Sequence, residues 1–112
     1  GDEGGALTVN VASSGAITTG DLDVYTFTAT AGDHVTVSIG EVTDTNTVFW
    51  PWIRLWSPTG TTLGDAVGVA ATVINNVTVP VTGTYLVLVA SGNSGLHGTG
   101  TYNVTVTGAT GP

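Results

Sequence analysis

The stretch Gly100-Thr101-Tyr102-Asn103-Val104-Thr105-Val106-Thr107 decides the fold class. Tyr102, Val104 and Val106 alternate with Thr101, Asn103 and Thr105, so apolar side chains recur with a period of two. Neighbouring side chains of a strand point to opposite faces, and this period puts the apolar set on one face and the polar set on the other. A helical stripe needs apolar residues both three and four apart, and no two apolar residues of this stretch are three apart. Its β-branched valines and threonines also favour extended backbone.

The same pattern recurs on moving outward along the chain. Tyr25, Phe27 and Ala29 alternate with Thr26 and Thr28; Val35, Val37 and Ile39 alternate with His34, Thr36 and Ser38. Ile53 and Leu55 alternate with Trp52, Arg54 and Trp56, and Leu7, Val9 and Val11 alternate with Thr8 and Asn10. Tyr85 to Ala90 is apolar on both faces, as expected of a central strand or one whose outer face is covered. Val67 to Val81 reads as two short strands or one bent strand, with Pro80 at its edge or end. Turn signals fall at Ser13-Ser14-Gly15, Thr19-Gly20-Asp21, Ala31-Gly32-Asp33, Ser57-Pro58-Thr59-Gly60 and Val81-Thr82-Gly83. About eight strands at this spacing predict an all-β fold, a mainly antiparallel β-sandwich or jelly roll. Residues 1–112 form one domain by length, with linker-like tails at 1–6 and 108–112.

Composition narrows the function. Eight carboxylates stand against a single Arg and no Lys, for a net charge of −7. Nucleic-acid binding needs Lys and Arg to displace counterions from phosphates, so DNA and RNA are set aside. The same deficit disfavours an anionic membrane surface, and no apolar run is long enough to span a bilayer as a helix. Cysteine is absent, and His34 and His97 are the only histidines, which excludes a disulfide framework and a zinc-type site. Only 8% of residues are charged, so the solvated surface is made of Thr, Ser, Asn and Gly. Such a surface is typical of durable extracellular modules and can be approached by other chains without desolvating many charges.

Several motifs together carry a resemblance. Gly20-Asp21-Leu22-Asp23-Val24-Tyr25-Thr26-Phe27 followed by Ala31-Gly32-Asp33 resembles the opening of bacterial pre-peptidase C-terminal domains. Pro51-Trp52-Ile53-Arg54-Leu55-Trp56-Ser57-Pro58-Thr59-Gly60 is similar to their middle strand and turn. Thr82-Gly83-Thr84-Tyr85 and Gly100 to Val106 resemble their two closing strands, so the likeness runs from about Gly15 to Thr107. It implies a jelly-roll sandwich of the collagen-binding type. It also implies a secreted, non-catalytic module, of a kind that in some members binds calcium, collagen or polysaccharide.

No catalytic constellation is visible. His34 lies on the polar face of a strand and His97 in a Gly-rich loop, neither beside a Ser–Asp pattern. Asp21, Asp23 and Asp44, with Asp2 and Glu3, are the candidate calcium ligands. Against this, no D-x-D-x-D-G loop is present, and a turn carboxylate ordinarily bonds local amides. The sharpest feature is an aromatic stripe: Trp50, Trp52 and Trp56 share parity with Arg54 and point away from the core. Such a stripe stacks on sugars, anchors a protein interface, or shields the sheet as a cation–π ladder. The sequons Asn76-Val77-Thr78 and Asn103-Val104-Thr105 are of the kind chance supplies in a Thr-rich chain.

The expectation is therefore a non-catalytic extracellular or cell-surface module without a cofactor, or with calcium. Two partner classes fit. One is copies of itself, joined through a strand at Leu7, Val9 and Val11 that adds to a neighbour's sheet edge to make a filament. The other is an extracellular polysaccharide or matrix protein held on the face of Trp50, Trp52, Arg54 and Trp56, with the chain serving as an accessory module of a secreted enzyme.

Overall fold

A computed structural model describes residues 4–17, 22–44, 50–68, 71–91 and 100–110. Among them are nine strands: β1 (Gly4–Ala6), β2 (Ser13–Ile17), β3 (Asp23–Ala29), β4 (His34–Asp44), β5 (Pro51–Trp56), β6 (Thr62–Val67), β7 (Ala71–Thr78), β8 (Gly83–Ser91) and β9 (Gly100–Thr107). They form a five-stranded sheet, β1-β3-β8-β5-β6, facing a four-stranded sheet, β2-β9-β4-β7. All pairs are antiparallel except β1 with β3. The expected all-β sandwich is therefore the architecture.

The period-two pattern explains the core. Tyr25 and Phe27 of β3, Ile53 and Leu55 of β5, and Tyr85, Val87 and Val89 of β8 turn inward from one sheet. Val35, Val37 and Ile39 of β4 and Tyr102, Val104 and Val106 of β9 meet them from the other. Each such residue removed from water contributes about 1.5–3 kcal/mol of transfer free energy. Phe27 and Tyr85 stack at 5.6 Å between ring centroids, directly opposite each other in register. On one side the sheets close where β6 meets β7. Gly64 is required there, because a Cβ on it would run into the Ile74 side chain.

The doubly apolar stretch is β8, at the centre of its sheet between β3 and β5. Val67 to Val81 proves to be the end of β6, then β7, with a bulge opposite Val35 and Val37 and Pro80 just past the strand.

Three local expectations are corrected. Leu7 to Val11 is not a strand. The Leu7 amide donates to the Thr26 carbonyl at 2.7 Å, and Leu7 itself is buried. Asn10 then takes a left-handed backbone (φ 68°) and its amide donates to the Val106 carbonyl at 2.8 Å. The segment thus crosses from one sheet to the other, and its alternation reflects one buried anchor followed by a turn. Conversely, Ser13-Ser14-Gly15 is not a turn but the start of β2, paired with β9. The described parts of the tails are also engaged. Gly4–Ala6 pairs with β3, and Thr110 donates its amide and hydroxyl to Asp33.

Candidate functional site

The outward face of the five-stranded sheet carries the stripe. In β5 the inward residues Pro51, Ile53 and Leu55 are buried, while Trp52, Arg54 and Trp56 stand half-buried on the outer face. Trp50 precedes the strand and is exposed. The parity expected for the stripe is the parity observed.

Register explains what holds it. Arg54 lies opposite Asp65 of β6, and Trp56 lies opposite Thr62. Directly paired side chains on one face of a sheet are close enough to bond. The Arg54 guanidinium donates to Oδ2 of Asp65 from Nη2 at 2.8 Å and from Nε at 3.2 Å. From the diagonal position the Trp52 indole N–H donates to Oδ1 of the same carboxylate at 2.6 Å. The Trp56 indole N–H donates to Thr62 Oγ1 at 3.0 Å. Arg54 also sits over the Trp52 ring, 5.0 Å from its centroid. The donors that converge on Asp65, first Trp52 and then Arg54, hold its carboxyl below the ordinary carboxylate range.

On the other side of β5 the stripe covers β8. Trp52 is paired with Ala90, Arg54 with Leu88 and Trp56 with Leu86. Leu88 and Ala90 point outward and are nonetheless buried. A layer of indole and guanidinium on the apolar outer row of β8 thus accounts for a strand that is apolar on both sides. Asp65 and Thr62 were not legible as partners from sequence. Their only signal is position on the strand after the Ser57–Gly60 turn, and the bulge between Leu55 and Trp56 sets the register that brings them into place.

The carboxylates expected at a metal site fall differently. Asp23 does not sit in a turn. It begins β3, points inward, is fully buried, and its Oδ2 accepts from the Tyr102 hydroxyl at 2.7 Å. Tyr102 is also 2.7 Å from the Tyr25 hydroxyl, with the two rings edge-to-face. Burial, followed by these two hydrogen bonds, raises the Tyr102 phenol far above its ordinary value. Asp44 closes β4. Asp2, Glu3, Asp21 and His97, and the side chain of Asp44, lie outside the described residues. Among the described residues no three His, Cys, Asp or Glu side chains come together as a metal-holding group. His34 is exposed, with Nδ1 at 3.1 Å from Thr78 Oγ1.

Strands β3 to β8 of this sandwich, with the Trp52–Trp56 stripe among them, coincide with a family model: the bacterial pre-peptidase C-terminal domain matches residues 21–91. The chain belongs to that family. Pre-peptidase C-terminal domains are non-catalytic accessory domains, and the resemblance seen in the motifs is confirmed. Among solved structures, the pre-peptidase C-terminal domain of a Bacillus anthracis collagenase is similar, with a TM-score of 0.66, 20% identity, and coverage of 95% of this chain and 96% of that one. So is PliG of Aeromonas hydrophila, a periplasmic inhibitor of g-type lysozyme, with a TM-score of 0.60, 20% identity and coverage of 93% and 99%. The surface-associated copper-binding protein CorA of Methylomicrobium album BG8 has a TM-score of 0.64 at 10% identity, covering 93% and 96%. No curated protein matches the chain. At these identities the likeness is one of fold, and the fold alone does not carry the function of any of the three over to this chain.

Proposed function

We propose that this domain is a binding module that works outside the cytoplasm and docks an extracellular partner on the outward face of its five-stranded sheet. The observation that carries the reading is the stripe of Trp52, Arg54 and Trp56, tied down by Asp65 and Thr62. Side chains locked before binding lose little rotamer entropy on contact, and Trp and Arg dominate binding energetics where they occur. The non-catalytic character of the family, and the periplasmic and surface-associated settings of PliG and CorA, support the reading.

Assembly through Leu7, Val9 and Val11 has less support. Leu7 is anchored in its own core, and the segment is spent crossing between this chain's sheets. Light scattering on this reading gives a monomer of about the 11.2 kDa chain mass.

Co-sedimentation with collagen fibres, chitin and cellulose tests the proposal. The domain is expected in the pellet with at least one matrix, and Trp52→Ala/Trp56→Ala is expected in the supernatant, with circular dichroism showing that the variant is folded. If the variant pellets as the parent does, the face is not the site.

A further inference from the structure

We infer that the four-stranded sheet is a modification surface that carries N-linked glycans on Asn76 and Asn103, a site separate from the binding face proposed above. The two Asn-x-Thr sequons belong to the sequence, but the fold decides where they stand. Asn103 lies in β9, between β2 and β4, and Asn76 lies in β7, at the edge of the same sheet. The middle residue of one sequon, Val104, is buried in the core, and that of the other, Val77, packs against it. Both asparagines are exposed.

Each asparagine has an unused amide and room around it. Asn103 lies opposite Gly40 on one side and Ser14 on the other, and a Cβ added to Gly40 would meet nothing within 4 Å. Asn76 takes a left-handed backbone, φ 55°, in the bulge of β7 opposite Thr36. Its backbone amide donates to Thr36 Oγ1 at 3.1 Å. The neighbouring Asn75, which begins no sequon, spends its side chain on Thr36 at 3.2 Å. The side chains of Asn76 and Asn103 make no hydrogen bond among the described residues, so derivatising them breaks nothing. Gly40 and Thr36 are four residues apart on β4, which separates the two asparagines by about 13 Å along the sheet and about 10 Å across it. Each glycan has its own space.

The rest of the face shows what glycans do there. Thr36, Ser38 and Thr105 are neutral, and Val73, paired with Ser38, is 47% exposed. Val73 lies between the levels of the two asparagines along the sheet. With only 8% of residues charged, the chain has few charges to keep such a surface in water, and a glycan is bulky and solubilising. Glycans at both positions shield Val73 and keep other chains off this sheet, while the Trp52–Trp56 stripe on the opposite sheet stays open.

The donor is a polyprenyl-phosphate-linked oligosaccharide, used by an oligosaccharyltransferase outside the cytoplasm. Nδ2 of the asparagine attacks C1 of the first sugar and gives up a proton to a base of that enzyme. The C1–O bond to the phosphate breaks, and the lipid phosphate leaves with the electron pair. The threonine two residues on is the other half of the acceptor signal. Because β9 is hydrogen-bonded on both sides, transfer to Asn103 precedes folding.

Peptide mapping of the protein secreted by its own host tests the inference, with chymotrypsin because the chain has one Arg and no Lys. Peptides spanning Asn76 and Asn103 are each expected to carry the mass of added sugars, placed on the asparagine by electron-transfer fragmentation. Thr78→Val and Thr105→Val are each expected to remove the sugar from the sequon they break and leave the other, Thr78→Ser is expected to keep it, and Asn75→Gln is expected to change neither. Unmodified Asn76 and Asn103 peptides, or sugar found on threonine alone, overturn the inference. Sugar on one asparagine only overturns the assignment of the other, and sugar that survives Thr78→Val and Thr105→Val overturns the sequon chemistry.

Discussion

The hydroxyl of Tyr102 donates to Asp23 at 2.7 Å although 79 residues separate them in the chain, and neither residue is exposed to solvent. Tyr25 completes the cluster from the neighbouring position on the inner face of β3. A buried carboxylate is tolerated only when donors surround it. Tyr102→Phe removes one donor while keeping the ring, and it is expected to destabilise the fold by about 1–3 kcal/mol. Urea unfolding with an unchanged m-value checks this, and an unaltered midpoint would show that the bond contributes nothing.

The same phenol governs behaviour in alkali. Burial and its hydrogen bonds raise the Tyr102 value in the folded state, so the folded chain holds this proton more tightly than the unfolded chain does. The stabilisation is complete below the unfolded value near 10 and is lost as pH rises beyond it. Stability measured from pH 8 to 12 is expected to fall more steeply in the parent than in Tyr102→Phe. Parallel curves would contradict the assignment.

Gly15 lies opposite Tyr102 on β2, and a Cβ there would come within 2.5 Å of Tyr102 Cζ and 2.7 Å of the Tyr25 hydroxyl. Overpacking of this kind typically costs about 1–3 kcal/mol. Gly15→Ala is expected to lower the melting temperature by several degrees. Gly40→Ala, where the added Cβ meets nothing within 4 Å, serves as the control.

The stripe reports on its own carboxylate. The bond from Trp52, then that from Arg54, depresses the Asp65 carboxyl, so the contribution is present above the unfolded value of 3.8 and disappears as pH falls through the lower, folded one. Tryptophan emission is expected to change over that acid range as the Trp52 indole loses a charged acceptor, and Asp65→Asn is expected to abolish the change. Stability itself should respond by less than about 1 kcal/mol, because an exposed ion pair is screened by water.

Asp33 makes a second acid-sensitive contact. It accepts from the Thr30 amide at 2.9 Å and from the Thr110 amide at 2.9 Å, and these backbone bonds, in that order, depress its carboxyl. The contact holds above 3.8 and loosens as pH falls through the lower folded value. Hydrogen exchange at neutral pH is expected to find the Thr110 amide protected in the parent and unprotected in Asp33→Ala. Equal exchange in the two would show that the closing segment is held by other means.

Period two is a local property. Alternation alone was enough to establish the all-β class, the inward set of β3, β5 and β9, and the outward parity of Trp52, Arg54 and Trp56, while the doubly apolar run of β8 left a central strand and a covered outer face as alternatives. The reason is that a strand's two faces are decided by its own successive residues. Short alternation is a weaker signal, and Leu7 to Val11 shows why: a buried Leu7 followed by a turn at Asn10 imitates a strand over five residues. Which strand lies beside which is not a local property. Only the register of β5 with β6 sets Asp65 against Arg54 and Thr62 against Trp56, turning three outward side chains into a fixed surface. Only the facing of the two sheets converts Asp23 from a presumed turn carboxylate into the buried acceptor of Tyr102, and makes Gly15 the one residue small enough to lie over the tyrosine pair. These relationships depend on contacts between residues far apart in the chain, which no window of sequence contains.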